Sequence, residues 1–359
     1  MPFADLTLFP QSDPTALYRV RDGLYAADML VAALAYLDLF TWIGAQGEKG
    51  ATEAQIAAHF RIVPRLADVM ATLFRAQGLL TQGGDGALKL TPLAAEHLVE
   101  GSPWCLKPYF ASLHNRQGVM DLLEVMRAGT PVLWGGRQEK KEDWHAAMQD
   151  GDFAEKFTAT MDCRGVLLGP AAARAADLRG VTRLLDIAGG SGIYACAFAA
   201  LHPHLSATVL EREPVDAIAR HMIAKRGLSD RVSVLTADMM AWPLPPGYDA
   251  HLWSNVLHDW DVPEVQALIG ASFQALPPGG LFIMHDAFLN EAKDGPLHVA
   301  EYSVALAHAT QGRCYGVGEM RAWLGEAGFT DFAHQDTAAA RGLITARKPA
   351  EKAMPGKQE

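Results

Sequence analysis

Residues Leu184–Gly192, LLDIAGGSG, decide the predicted fold of this 359-residue chain. An apolar strand, Leu184–Ala188, runs directly into a glycine-rich turn, and an apolar helix, Ile193–Leu201, follows. Glycines allow the backbone to turn tightly out of a strand and to approach a ligand closely. The segment Gly190–Ala195 also fits the G-x-G-x-x-G/A pattern of dinucleotide sites. The stretch therefore predicts a strand–turn–helix unit, and its turn is either a ligand site or purely structural.

Short apolar strands and helices alternate from Val181 onwards. The predicted strands are Leu184–Ala188, Ala207–Leu210, Val232–Leu235, Ala250–Trp253 and Leu281–Met284. The predicted helices between them are Ile193–Leu201, Val215–Arg226 and Val262–Leu276. Such alternation is typical of an α/β domain in which helices cover both faces of a parallel sheet. We therefore predict a Rossmann-like domain over residues 181–349, with its ligand at the carboxyl ends of the strands.

The first 100 residues are predicted to be mainly helical and to end in a β-hairpin. A long apolar helix is expected over Asp22–Trp42, and a capping box at Thr52 begins a short helix, Glu53–Phe60. Pro64 starts the next helix, at the position that proline prefers. Two short apolar strands then flank the turn residues Gly83–Gly86. Two helices followed by a hairpin form the pattern of a winged-helix domain.

Two further segments complete the predicted organisation. Residues 101–180 are expected to form a helical connector that lines a substrate pocket, and residues 350–359 a polar tail. A polar loop spans Trp134 to Glu142 within the connector, and Trp134 and Trp144 suggest apolar pocket walls.

Composition limits the partners that the protein can have. The formal net charge is −10, and an acidic surface repels nucleic acid and anionic membranes. The helix that would enter a DNA groove carries only Arg65 and Arg75, with Asp68 between them. That is too little positive charge for DNA binding, so a DNA-binding regulator is a remote alternative.

Cysteine spacing and apolar runs narrow the class of protein further. The four cysteines contain no CxxC pair, so we predict neither a disulfide framework nor a zinc-cysteine site. The longest apolar run, Met29–Leu37, is far shorter than the roughly 20 residues that a membrane span needs. The first residues lack the pattern of a signal peptide. A cytoplasmic protein is expected.

Acidic residues follow three neighbouring predicted strands. Asp186 precedes the glycines, where a carboxylate would repel a pyrophosphate but suits the cationic amino and sulfonium groups of S-adenosylmethionine (SAM). Glu211 closes the second strand and can accept both hydroxyls of a ribose, as acidic residues of NAD sites also do. Asp238 and Met239 follow the third strand, where a carboxylate can accept from an exocyclic amine and a thioether can pack on a purine.

A histidine follows the fourth strand directly. The run Ser254–Asp261, SNVLHDWD, places His258 at the carboxyl end of the predicted strand Ala250–Trp253. Histidine titrates close to neutral pH and therefore suits general-base catalysis. We predict that His258 removes the proton of a substrate hydroxyl, which then attacks the sulfonium methyl.

The glycine motif, Asp238-Met239 and His258-Asp259-Trp260, in this order and spacing, resemble the class I SAM-dependent methyltransferases. Over nearly its full length the chain is similar to the plant caffeate-type O-methyltransferases and their bacterial and animal relatives. The resemblance implies an N-terminal winged-helix dimerisation domain, a homodimer and a C-terminal SAM domain. It also implies a small-molecule acceptor, with S-adenosylhomocysteine (SAH) as the second product and no metal.

Together, the strand-end pattern and the resemblance imply roles for individual residues. The expected SAM contacts are Asp186, Gly189, Gly190, Gly192, Glu211, Asp238, Met239 and Ser254. The expected catalytic group consists of His258 as the base with Asp259 and Asp286 beside it. The expected substrate pocket includes Asn115 and the helical segment Phe157-x-x-x-Met161.

Two positions depart from the family pattern. Ser254 stands where the family usually has a lysine, and Cys314 stands where a glutamate holds the catalytic imidazole. A missing carboxylate would leave the imidazole less basic and its tautomer less fixed, unless Asp286 or Asp259 replaces it. O-methylation is the favoured activity. S-methylation of a thiol or thioether, which needs little deprotonation, is the alternative, and an NAD-dependent oxidoreductase is a third.

Overall fold

The computed structural model describes residues 3–132, 147–241 and 243–350. The predicted loop Trp134 to Glu142, Trp144 and all of the predicted polar tail except Ala350 lie outside these residues.

The long helix expected over Asp22–Trp42 is broken into shorter pieces. Helix α1 (Thr15–Asp22) ends where the predicted helix was expected to begin. Helices α2 (Ala26–Ala32) and α3 (Leu39–Ala45) replace the predicted helix, and a π-helical turn, residues 33–37, extends α2. The break before α3 lies at Asp38, whose backbone is left-handed at φ +50° and ψ +40°. The chain bends there by 61°. Apolar spacing alone does not reveal such a bend, because the residues on both sides stay buried.

These N-terminal helices are the apolar helices that come nearest to a membrane span. No single described helix is long and apolar enough to cross a bilayer. The bent pair formed by residues 15–37 and 39–45 has the length and composition of a span, but no other feature of one. The core of that pair is buried within the protein, as Met29, Leu34 and Phe40 show.

The predicted helix–helix–hairpin arrangement follows α3. Helix α4 (Glu53–Phe60) begins at the capping box of Thr52 and Gln55, in which each residue's side chain bonds the other's backbone amide. Helix α5 (Pro64–Ala76) begins at its proline, and strands β1 (Leu80–Gln82) and β2 (Leu88–Leu90) pair antiparallel. The connector then contributes α6 (Pro92–His97), α7 (Lys107–Ala111), α8 (Gln117–Ala128) and the long α9 (Gly151–Ala175).

The C-terminal half of the chain is the predicted α/β domain. Its strands in chain order are β3 (Arg183–Ile187), β4 (Ser206–Glu211), β5 (Val232–Thr236), β6 (Ala250–Ser254), β7 (Leu281–Asp286), β8 (Thr330–Asp336) and β9 (Gly342–Arg347). Its helices are α10 (Ile193–Leu201), α11 (Val215–Lys225), α12 (Val262–Ala275), α13 (Leu297–Ala309) and α14 (Val317–Ala327). The sheet order is β5-β4-β3-β6-β7-β9-β8, and the first five of these strands are parallel. The strand order reverses between β3 and β6, which is where ligands of such sheets bind.

Four elements of this domain were not predicted. Strands β8 and β9 pair antiparallel with each other, and β9 adds to β7. Strand β8, with the sequence TDFAHQD, is mostly exposed at the sheet edge. It therefore lacks the apolar run that identifies a buried strand. Helices α13 and α14 were missed as well.

One hydrophobic core joins the N-terminal helices to a late segment of the chain. Buried side chains of α2, α5 and α8 pack together with those of residues 287–314, which include α13. Arg65 on α5 donates to the carbonyl of Gly312 at 3.1 Å. Asp68 on the same helix pairs with Arg313 at 2.7 Å. Residues 287–314 therefore pack as part of the N-terminal body, although they follow the fifth strand of the parallel sheet.

Candidate functional site

A cavity of about 430 Å³ lies at the carboxyl ends of the parallel strands, and we call it the strand-tip cavity. Helices α1, α9 and α13 supply further walls. Ten of the expected site residues line it: Phe157, Met161, Gly189, Gly190, Glu211, Asp238, Met239, Ser254, His258 and Asp259. Asn115, Asp186, Gly192 and Asp286 do not. Most of the expected cofactor, catalytic and pocket residues thus meet in one place.

The glycine turn is joined to the acidic tip of β4. The amide of Gly190 donates to Oε1 of Glu211 at 2.9 Å, and the amide of Arg212 donates to Oε2 at 3.1 Å. Burial raises the pKa of Glu211 to about 7, although these two amides act in the opposite direction. Gly190 has φ +59°, a conformation that glycine adopts without strain.

Asp186 was expected to face a cationic ligand, but its side chain does not line the cavity. Its carboxylate is fully buried beneath the glycine turn, and its Oδ2 accepts from the amide of Ala195 at 3.1 Å. A Cβ atom on Gly189 would lie 2.6 Å from this carboxyl group. Side chains alternate along a strand, so Asp186 shares the face of Leu184, which packs with helix α10. The Asp186 side chain therefore packs beneath the glycine turn, and burial raises its pKa to about 7.

Gly192 does not line the cavity either, and its role is to allow close packing of α10. It has φ +75° at the start of α10, and a Cβ atom there would meet Ile223 at 3.0 Å and Val209 at 3.1 Å. Glycine is required at this position because the helix passes so close to β4 and α11.

His258 lies in a short 3₁₀ turn, residues 257–259, directly after β6. Its Nδ1 is 2.6 Å from Oδ1 of Asp286, the last residue of β7. Its Nε2 is 3.5 Å from Oδ1 of Asp259, which is beyond ordinary hydrogen-bond length. The ring packs edge-on against Tyr302 of α13, with the ring centroids 5.9 Å apart. The imidazole is thus held by one carboxylate on its Nδ1 side while it forms part of the cavity wall.

The two carboxyl groups around His258 differ in their preferred charge. Burial opposes ionisation of Asp286, but the His258 ring and the amide of Ala287 outweigh it and lower the pKa of Asp286 below its usual range. Burial raises the pKa of Asp259 to about 6, although His258 acts in the opposite direction. Asp286 is therefore the group that is fitted to stay charged beside the imidazole.

Cys314 stands at the position of the family glutamate and brings no carboxylate to the histidine. Its side chain is buried, its amide donates to Oγ of Ser303 at 3.1 Å, and burial raises the pKa of its thiol well above the usual value. The carboxylate that bonds the imidazole comes from Asp286 instead. Of the two replacements suggested by the sequence, this is the one within bonding distance of the ring.

The predicted pocket residues divide between cavity and surface. Phe157 and Met161, one turn apart on α9, both line the strand-tip cavity. Asn115 lies in the exposed turn between α7 and α8 and is not brought to the cavity in this chain. A turn residue has no periodicity from which its direction could be predicted.

A buried polar chain beside the cavity was missed by the sequence reasoning. Asn255 donates to the hydroxyl of Tyr194 at 2.9 Å, that hydroxyl is 3.2 Å from Nδ1 of His285, and Nε2 of His285 is 2.8 Å from the hydroxyl of Thr337. Burial lowers the pKa of His285 to about 3, so its ring is neutral. The tyrosine follows the glycine motif directly, which is a local signal, but its partners lie 61 residues or more away.

A buried ion pair beneath the glycine turn was missed as well. Arg226 binds Asp162 through two contacts of 2.7 and 2.9 Å, and Asp162 also accepts from the hydroxyl of Ser191 at 2.6 Å. The pair joins α9, the end of α11 and the turn. No sequence signal links positions this far apart.

Metal ligation has no candidate among residues 3–132, 147–241 and 243–350. No group of three or more His, Cys, Asp or Glu residues there is arranged to hold an ion.

The chain is similar to known O-methyltransferases. Residues 131–330 match the family model of the O-methyltransferase domain. The chain is 32% identical over 320 residues to 3-hydroxy-5-methyl-1-naphthoate 3-O-methyltransferase of Streptomyces sahachiroi, over 89% of this chain and 90% of that relative.

Solved structures share the fold over nearly the whole chain. An O-methyltransferase family 2 protein of Planctomyces limnophilus, solved in complex with apigenin, superimposes with a TM-score of 0.83 at 30% identity, over 97% of this chain and 100% of that one. Human N-acetylserotonin methyltransferase, solved in complex with SAM, has a TM-score of 0.59 at 22% identity, over 96% of this chain and 100% of that one. The second likeness concerns the fold alone.

Proposed function

The chain belongs to the O-methyltransferase family, and from that premise we propose that it transfers the methyl group of SAM to an aromatic hydroxyl with His258 as general base. It is a methyltransferase that acts on a small-molecule hydroxyl. The aromatic nature of the acceptor is inferred from two relatives, one named for a hydroxynaphthoate and one solved with apigenin. Phe157 and Met161 in the cavity wall suit a flat apolar ring.

The observation that carries the proposal is the 2.6 Å contact between Nδ1 of His258 and Asp286. When Nδ1 carries the proton and donates it to this carboxylate, the lone pair of the ring is on Nε2. Asp286 then stabilises the imidazolium that forms when Nε2 takes up a proton, without becoming protonated itself.

Methyl transfer is expected to occur in a single displacement. The acceptor oxygen bonds the methyl carbon as the carbon–sulfur bond breaks, the electron pair stays on the sulfur of SAH, and the hydroxyl proton goes to Nε2 of His258. SAM supplies an electrophilic methyl group and a good leaving group. Alignment of acceptor and donor in the cavity therefore accounts for much of the expected rate.

The residues at the strand tips fit SAM. Glu211 suits the ribose hydroxyls, and Asp238 and Met239 suit the adenine side. Oγ of Ser254 and Oδ1 of Asn255 are buried in the cavity wall without a hydrogen-bond partner in the described structure. Buried polar atoms of this kind require a partner, and the polar groups of a bound ligand would supply one.

Binding and product analysis test the proposal together. Isothermal titration with SAM, SAH and NAD is expected to show binding of the first two only. Incubation with labelled SAM and a panel of phenols, naphthols and flavones, each beside its thiol analogue, is expected to label the phenolic compounds. NMR of the product is expected to show a methoxy group. The comparisons favour this outcome over the thiol acceptor and the oxidoreductase. Binding of NAD alone, or methylation of the thiols alone, would refute the proposal.

The homodimer, the winged-helix dimerisation domain and the cytoplasmic location also remain proposals. Exposed apolar side chains of α1 and the connector support a dimer, including Leu17 at 73% exposure, Val20 at 77% and Tyr109 at 75%. Leu17 and Val20, three residues apart, lie on the same face of α1, and an apolar patch there would suit a protein interface. Light scattering coupled to size-exclusion chromatography is expected to give twice the chain mass of 38.7 kDa, and a monomer would contradict the dimer.

A further inference from the structure

Arg164 is a charged residue of the strand-tip cavity for which the methyl-transfer mechanism has no use. It follows Phe157 and Met161 on α9 with the spacing i, i+4, i+7, which places all three side chains on one face of the helix. All three line the cavity. The guanidinium of Arg164 therefore lies in the cavity wall, beside the apolar residues proposed to contact the aromatic ring of the acceptor.

The described structure gives this guanidinium one hydrogen-bond partner. Its Nη1 donates to the hydroxyl of Tyr302 at 3.2 Å. No carboxylate of residues 3–132, 147–241 or 243–350 lies within ion-pair distance of Arg164. The hydroxyl proton of Tyr302 has no acceptor among the same residues. Both side chains therefore have donors left over at the cavity wall.

The acidic residues near Arg164 are engaged elsewhere. Asp22 is bound by Arg341 at 2.8 Å and by Arg21 at 3.4 Å. The guanidinium of Arg341 also covers the ring of Tyr302, 4.5 Å from its centroid. Asp259 lies near Arg164, and its Oδ1 is 3.5 Å from Nε2 of His258. Asp286, which also lies near Tyr302, is 2.6 Å from Nδ1 of His258. The acidic groups around Tyr302 therefore have nearer partners than Arg164.

We propose that Arg164 and Tyr302 form a carboxylate-binding site in the strand-tip cavity, an inference that rests on the proposed function. The planar guanidinium can bind both oxygens of a carboxylate, and the tyrosine hydroxyl adds a third donor. Arg164 is half-buried, and a guanidinium that is partly withdrawn from water is stabilised by an anion or by several acceptors.

Two reactants could bring this carboxylate. One is the acceptor, which would then be a hydroxyaryl carboxylic acid. The other is SAM, through its methionine portion. The acceptor is the source that the geometry favours, because Tyr302 packs against His258 at 5.9 Å and bonds Arg164 with its hydroxyl. An acid held by Arg164 would have its ring beside Tyr302 and its hydroxyl group toward the base.

Binding measurements with matched neutral ligands test the site directly. In the first arm, SAH is compared with decarboxylated SAH by titration calorimetry. In the second arm, the SAH-saturated protein is titrated with 3-hydroxy-2-naphthoic acid and with its carboxamide. Both arms use the wild-type protein, the variant Arg164→Met, the charge-retaining variant Arg164→Lys, and Lys156→Met as an exposed control on the same helix. Thermal melting checks that each variant is folded.

A carboxylate bound by Arg164 is expected to make the wild-type protein prefer the acid over its neutral analogue by about tenfold or more in one arm. Arg164→Met is expected to abolish that preference, Arg164→Lys to retain part of it, and Lys156→Met to leave it unchanged. A preference in the second arm identifies the acceptor as the source, and one in the first arm identifies SAM.

Two results would overturn the inference. Wild-type protein that shows no preference in either arm excludes the site even if Arg164→Met does not fold. A preference that survives in folded Arg164→Met assigns the carboxylate to another residue. Failure of the proposed function is separate, since in that case SAH itself would not bind or no methoxy product would form.

Discussion

The carboxyl groups at the ends of neighbouring strands differ in the direction of their pKa shifts on the two sides of the strand-tip cavity. Asp286, at the end of β7, has a lowered pKa because the His258 ring and a backbone amide outweigh its burial. Asp186 and Glu211, at the ends of β3 and β4, have pKa values raised to about 7, because burial outweighs their backbone-amide bonds. Burial alone therefore does not decide whether an acid is charged. A direct hydrogen bond to His258 accompanies the lowered pKa of Asp286, whereas Asp259, 3.5 Å from the same ring, keeps a pKa raised to about 6.

The β6–β7 side thus holds a carboxylate that stays charged, and the β3–β4 side holds carboxyl groups that mainly accept hydrogen bonds from the backbone. On the β6–β7 side, Asp286 bonds the His258 ring and is proposed to stabilise an imidazolium. On the β3–β4 side, Glu211 bonds the glycine turn in the cavity wall, whereas Asp186 bonds the amide of Ala195 beneath the turn and does not line the cavity. Variants of His258, Asp286 and Glu211 each test one side of this comparison, and a variant of Asn115 tests a residue that belongs to neither side.

The largest effect is expected from His258→Ala. Loss of the base is expected to reduce kcat by roughly 10²–10⁴-fold, while SAH affinity stays within about threefold. Single-turnover kinetics and titration calorimetry separate the two effects. His221→Ala, at an exposed position of α11, serves as the control and is expected to behave as wild type. Near-normal turnover of His258→Ala would remove the base from the mechanism and leave alignment as the source of the rate.

Asp286→Asn tests which acid holds the imidazole. An amide cannot stabilise the imidazolium and does not fix the ring tautomer, so kcat is expected to fall by about 10²–10³-fold with little change in KM. Asp259→Asn is expected to cost about tenfold or less, because Asp259 is beyond hydrogen-bond length from the ring. Circular dichroism establishes that both variants fold. A larger loss for Asp259→Asn would transfer the orienting role to Asp259.

Glu211 is expected to make SAH binding depend on pH. Ribose hydroxyls donate best to the ionised carboxylate, so affinity is present above the pKa of about 7 and is lost as the pH falls through it. Between about pH 8 and pH 5.5 the ionised fraction, and with it the affinity, is expected to fall about thirtyfold. Glu211→Gln is expected to bind more weakly and with a flat profile. A wild-type affinity that is constant over this range would contradict the ribose role.

The smallest effect is expected from Asn115→Ala, because Asn115 is exposed on a turn away from the cavity. Steady-state kinetics with the identified acceptor are expected to give kcat and KM within about twofold of wild type. Phe157→Ala, in the cavity wall, is the matched comparison and is expected to raise the KM of the acceptor. A rise in KM for Asn115→Ala would return this residue to the substrate pocket.

Much of the architecture could be predicted because it depends on local chemistry. Strands β3 to β7 end within two residues of their predicted ends, since apolar runs and the glycine turn mark them. The capping box at Thr52 and the proline at Pro64 fixed two helix starts. The break at Asp38 escaped prediction because a left-handed residue leaves the apolar spacing intact. Strand β8 escaped because its exposed residues carry no apolar pattern.

The sequence by itself determined the α/β class, the order of the strands along the chain, and which strand ends carry Glu211, Asp238 and His258. These features follow from residue type and short-range spacing, which act within a few residues. Only the tertiary structure decided that the carboxylate in contact with His258 belongs to Asp286, that Asp186 lies beneath the turn, and that Arg164 meets Tyr302 in the cavity wall. Those outcomes depend on packing between elements far apart in the chain, where burial and the nearest partner set the direction and charge of each side chain.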